Sequence, residues 1–197
     1  MTTKAPAVDP SIRVADYILS RLTSWLGNRP DHFSSFIDAG VRAEGWLPAE
    51  ACHALSTPTA RQTVKVVAVR GKSQGSAKFD PDLEIDINRE YHQLAVVPAL
   101  TTADRPLTSQ LDKELAPAFE WAAKLKARSM IYLVAFPNSL SDQTWKDAVA
   151  HAAQKYHVKP LGQMEFMIPR APRQMVRAAA ALFMDEARVP EPVKPAE

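Results

Sequence analysis

Four carboxylates crowd into one short stretch of this chain: Asp80, Asp82, Glu84 and Asp86. The last three alternate with Leu83, Ile85 and Ile87. This period of two predicts a strand over 82–87 with its acids on one face and its aliphatics on the other. Carboxylates side by side repel one another, and burial adds a desolvation cost. Such a row persists by facing water, by meeting cations or by holding a metal. Cations are near in the sequence. The segment 70–78, RGKSQGSAK, is a basic Gly/Ser-containing loop in which Arg70, Lys72 and Lys78 are phosphate-contacting candidates. It lacks P-loop spacing. Further on, Arg170, Arg173 and Arg177 form a second basic group.

Other chemistries are excluded more simply. The five histidines are scattered, with no H-x-x-x-H or H-E-x-x-H pair for zinc. Cys52, the single cysteine, rules out an intrachain disulfide and a multi-Cys zinc site. His53 follows it directly, and helix neighbours point apart, so the two cannot act as a nucleophile pair. The G-x-S-x-G spacing of residues 71–75, GKSQG, falls in the loop between two expected strands and not on a strand-to-helix elbow, and G-x-G-x-x-G does not occur.

The elements that must position these residues follow from hydrophobic spacing and prolines. The chain has 197 residues, 46% hydrophobic and 23% charged, which supplies one core. A net charge of +2 makes any nucleic-acid contact a matter of local patches. No apolar run approaches the roughly 18 residues that span a bilayer. The N-terminus lacks an apolar signal region, and the expectation is a soluble cytoplasmic protein without a membrane partner.

Helical periodicity predicts helices from Ser11 to Leu26, from Asp31 to Leu55 with a break and a new helix over 47–55 that has Pro48 in its first turn, over 108–128, and from Ser141 to Tyr156. Strands are expected at 63–69, at 82–87, from Tyr91 to about Val97, at 130–136 (MIYLVAF, the most apolar run) and at 162–168. RQMVRAAAALFMDEAR, residues 173–188, reads as a helix, followed by a Pro-rich tail without core potential. The expected class is mixed α/β, with a central sheet of about five strands. A three-stranded antiparallel meander precedes two crossover strands, and helices flank the sheet, with extra ones at both ends. The expected divisions are an N-terminal arm and helix (1–30), an α/β core (31–170), a C-terminal helix (171–188) and a tail (189–197).

The order helix, three strands, helix, strand over residues 36–168 resembles the PD-(D/E)xK, or restriction-endonuclease-like, superfamily. Pro81-Asp82-Leu83-Glu84-Ile85 matches the aspartate at the start of its second strand. The segment 42–50, RAEGWLPAE, looks like the helix that carries its glutamate, at Glu44. The resemblance implies that Glu44 and Asp82, with Glu84 beside them, hold Mg²⁺ for phosphodiester hydrolysis. The third strand departs from the pattern. Where the superfamily has (D/E)-x-K, this chain has Ala95-Val96-Val97-Pro98-Ala99-Leu100. Glu90-x-His92, at the other end of that strand, and Lys65, Lys72 or Lys78 are the displaced candidates. Glu84 and Asp86 then read as solvated neighbours of Asp82.

With that motif degenerate, the resemblance implies a non-catalytic nuclease-like subunit without a cofactor. It would bind nucleic acid, protein partners or both in a bacterial, plasmid or phage DNA-transaction or defence system. Two alternatives stay open: an active Mg²⁺-dependent nuclease using Glu44 and Asp82 with a displaced lysine, and a generic α/β protein-interaction module.

Overall fold

In a computed structural model the chain is described at residues 10–29, 35, 46–57, 64–69, 82–87, 90–124, 128–136, 141–170 and 174–185. The elements are α1 (Pro10–Gly27), α2 (Trp46–Ser56), β1 (Val64–Val69), β2 (Leu83–Ile87), β3 (Glu90–Leu100), α3 (Leu107–Lys124), β4 (Arg128–Phe136), α4 (Asp142–Tyr156), β5 (Val158–Arg170) and β6 (Gln174–Asp185). Among the described residues six strands form one mixed sheet in the order β1-β2-β3-β4-β6-β5. Only β3 and β4 pair in parallel, across the α3 crossover; the other neighbours are antiparallel. The expected mixed α/β class is what forms, with one strand more than expected.

Two cores lie on opposite faces of the sheet. On one, Leu83, Ile85, Ile87, Leu94, Val96, Met130, Tyr132 and Val134 pack under α1 and α2. On the other, Ala95, Val97, Ala99, Ile131, Leu133 and Ala135 pack under α3 and α4. Alternate residues of β3 and β4 thus serve alternate cores, which is why MIYLVAF is apolar throughout rather than every second residue. The helices obey the complementary rule. Val14, Ile18, Leu22 and Leu26 lie on one stripe of α1 and are buried. Ser141 caps α4 as expected, its hydroxyl accepting from the Thr144 N–H. Arg21 ties α1 to the end of α2 through the Ala54 carbonyl at 3.0 Å and the Thr57 carbonyl at 3.3 Å.

The C-terminal segment corrects the sequence reading. Residues 174–185 form a strand, β6, where a helix is expected over 173–188. An alanine run favours a helix when local propensity decides. Here Ala178 to Phe183 are fully buried under helices on both faces, and from Ala179 on the strand lies between β4 and β5. A continuous apolar run of this length fits a doubly covered strand as well as a buried helix, and tertiary burial decides. β5 differs from expectation too. It runs Val158–Arg170 and pairs only with β6, so it is an edge strand rather than a neighbour of β4. Its Gly162 lies under α1: a Cβ there would stand 2.7 Å from Leu19 Cδ2.

β3 runs on to Leu100, past the expected end near Val97, with Pro98 inside it. It pairs with β2 only as far as Leu94 but with β4 up to Leu100. Among the described residues no helix is long and apolar enough to cross a membrane.

Candidate functional site

The acidic face of β2 is as the alternation predicts: Leu83, Ile85 and Ile87 point into the α1/α2 core, which leaves the acids on the α3/α4 side. Asp82 stands just before β2. It is buried, and its Oδ2 accepts a hydrogen bond of 2.7 Å from the Val96 backbone N–H. The cause is the stagger of the sheet. Leu83 pairs with Leu94, and there β2 stops while β3 continues. The Val96 N–H faces the place a longer β2 would occupy, and the carboxylate closes that gap. Two residues further on, Pro98 has no N–H to satisfy, which is why a proline is tolerated inside this strand.

The same register defines what lies across from Asp82 on its own face. The residues there are Ala95 and Val97, both buried in the α3/α4 core. An acid and a lysine would be needed at these two positions for the superfamily's motif. Asp82 is therefore built in as the cap of a strand end.

Glu84 and Asp86 correct the expectation of solvated acids: Glu84 is buried and Asp86 half-buried. Glu84 lies in register with Gln93 on β3, and Gln93 with Ser129 on β4. These three make one polar row across the sheet. Gln93 Nε2 donates to the Tyr91 hydroxyl at 3.3 Å. Asp86 lies in register with Tyr91 on one side and with Lys65 on the other, so the displaced lysine candidate on β1 is a cross-strand neighbour of Asp86, not of Asp82.

Glu90 and His92 belong to the opposite face, at the start of β3 and far along it from Asp82. Arg128 opens β4 in register with His92. Its Nη1 donates to Glu90 Oε2 at 2.6 Å, and both side chains are half-exposed. His92 is fully buried, with Nε2 3.7 Å from the same carboxylate oxygen, too far for a hydrogen bond. Burial pushes its pKa below the ordinary histidine value; Glu90 works against that shift, Arg128 adds to it and Asp86 opposes it. The imidazole is thus held neutral behind a carboxylate that a guanidinium clamps. Glu90-x-His92 does not join Asp82 in a displaced motif.

Glu44, Arg70, Lys72, Lys78 and Arg173 lie outside the described residues. Arg170 and Arg177 fall on β5 and β6 instead of following the last strand and on a helix. Residues 174–178 of β6 pair with 166–170 of β5, while the β4 pairing begins only at Ala179. Arg170 and Arg177 therefore stand on a two-stranded ribbon that runs past the end of β4, and the exposed Met167 pairs with Arg177.

Sequence reasoning missed Gln93, Ser129 and Arg128, since only strand register makes them neighbours of the acids. It also missed Tyr132, whose hydroxyl is buried 3.0 Å from Thr23 Oγ1; the apolar run around it hid that polar pair. Among the described residues no three His, Cys, Asp or Glu side chains group as metal ligands. Comparison with family models, curated proteins and solved structures gives no match.

Proposed function

We propose that this chain is a non-catalytic subunit of nuclease-like strand order that binds nucleic acid in a cytoplasmic DNA-transaction or defence system of a bacterium, plasmid or phage. The observation that carries the reading is the Asp82 carboxylate on the Val96 N–H. Asp82, whose sequence position matches a catalytic ligand, has a structural task, and Ala95 and Val97 face it. The order α2, β1, β2, β3, α3, β4 is the order on which the resemblance stands. The binding half of the reading draws on the β5–β6 ribbon. A two-stranded ribbon is marginal alone in water and fits the width of a DNA major groove. Arg170 and Arg177 on it would supply phosphate contacts.

The test is fluorescence anisotropy of a labelled DNA duplex titrated with the full chain at several salt concentrations. Binding should weaken as salt rises, and Arg170→Ala with Arg177→Ala should lower affinity and flatten the salt slope by about one per lost phosphate contact. Affinity unchanged in the double variant removes the ribbon from the account. A duplex that never binds removes nucleic acid and leaves a protein partner, for which the exposed Met164 and Met167 are the natural contact.

A further inference from the structure

Three side-chain oxygens on the α3/α4 face lie in one row across β2, β3 and β4. Glu84 pairs with Gln93, and Gln93 pairs with Ser129. Ser129 is 1% exposed, and its Oγ has no hydrogen-bond partner. Gln93 Oε1 is likewise buried without one, while the amide nitrogen of that side chain is engaged by Tyr91. An orphaned buried hydroxyl or amide oxygen costs about 1–3 kcal/mol, and two orphans side by side call for a ligand that both oxygens can hold. Beside them stands a carboxylate, Glu84, buried at 7% exposure.

We propose that Glu84, Gln93 and Ser129 form an oxygen-donor site for a hard divalent cation of the Mg²⁺ or Mn²⁺ kind. Carboxylate, amide carbonyl and hydroxyl oxygens are the ligands that such ions prefer, and Mg²⁺ keeps several waters when the protein supplies few donors. Strands about 4.8 Å apart put neighbouring oxygens within reach of one ion. Residues 125–127 alone separate α3 from β4, so the carbonyl end of α3 lies at the start of β4, where Ser129 sits. A helix C-terminus carries partial negative charge and favours a cation. Trp121 and Ala122, in the last turn of α3, are buried in the core on the same face of the sheet. The ion would tie β2, β3 and β4 together, on the face opposite His92. It does not depend on nucleic-acid binding.

Electron paramagnetic resonance of Mn²⁺ added to the chelator-treated full chain tests the site. A single Mn²⁺ per chain should bind and be displaced by Mg²⁺. Glu84→Gln should weaken it by at least about tenfold, and Ser129→Ala and Gln93→Leu should weaken it too. Glu90→Gln, on the other face, should leave it unchanged. Should Glu84→Gln fail to fold by circular dichroism, Ser129→Ala decides, because it removes only a hydroxyl. No bound Mn²⁺, or binding unaltered in Ser129→Ala and Gln93→Leu, overturns the proposal and leaves water as the occupant.

Discussion

The backbone N–H of Val96 donates to the Oδ2 of Asp82 across 2.7 Å, at the point where β2 stops and β3 runs on. The bond gives the acid a stability role that can be measured. Asp82→Ala leaves the Val96 N–H buried and unsatisfied, and should cost about 1–3 kcal/mol in urea unfolding. Asp82→Asn keeps an acceptor oxygen and should cost less. A carboxylate held under strain for catalysis would give the reverse, a gain in stability on removal.

His92 should set part of the pH dependence of stability. Its folded-state pKa is lowered, first by burial, so above about pH 6.5 both folded and unfolded chains leave it neutral. Below that pH the unfolded chain takes up a proton that the folded chain resists. Its contribution to stability is therefore full above pH 6.5 and falls with pH until the lower folded-state value is passed. Chemical denaturation at pH 7.5 and pH 5.5 should show a smaller loss for His92→Leu than for the wild type. An equal loss in both would mean that the folded chain takes up the His92 proton as readily as the unfolded one.

Arg128 and Glu90 shift the pKa of that imidazole in opposite directions. Their 2.6 Å ion pair is half-exposed, so Arg128→Ala should cost only about 0.2–1 kcal/mol through the pair itself. The larger signal lies in the histidine. Removing Arg128 should raise the His92 pKa, and Glu90→Gln should lower it, in a nuclear magnetic resonance titration of the ring protons. Shifts of the opposite sign would contradict the arrangement.

Gly162 owes its place to α1. A methyl group at 162 meets Leu19 Cδ2 at 2.7 Å, and Leu19 is buried. Gly162→Ala should destabilise by about 1–3 kcal/mol, as overpacking does. Leu19→Ala vacates that space, so the double variant should be less destabilised than the sum of the two single variants. Simple additivity would place the helix elsewhere on the strand.

Much of this was readable in the sequence where one physical signal acts alone. The alternation at 82–87 set the two faces of β2, and Ser141 announced its helix. Residues 174–185 were misread because alanine favours a helix locally, while burial on both faces, a property of the whole sheet, favours a strand. The site was legible by residue type and not by register. Asp82 was singled out, but its partner is a backbone N–H on a strand that outgrows its neighbour, and no side-chain pattern records a stagger. Gln93, Ser129 and Arg128 look unremarkable in sequence and matter only through what lies across from them.

The central claim, binding without cutting, is tested most directly on one sample. An end-labelled DNA duplex is incubated with the full chain and Mg²⁺, and the bound fraction is recovered and sized on a denaturing gel. The account predicts bound strands of full length. Shortened strands that disappear with Asp82→Asn, or no bound DNA at all, would contradict it.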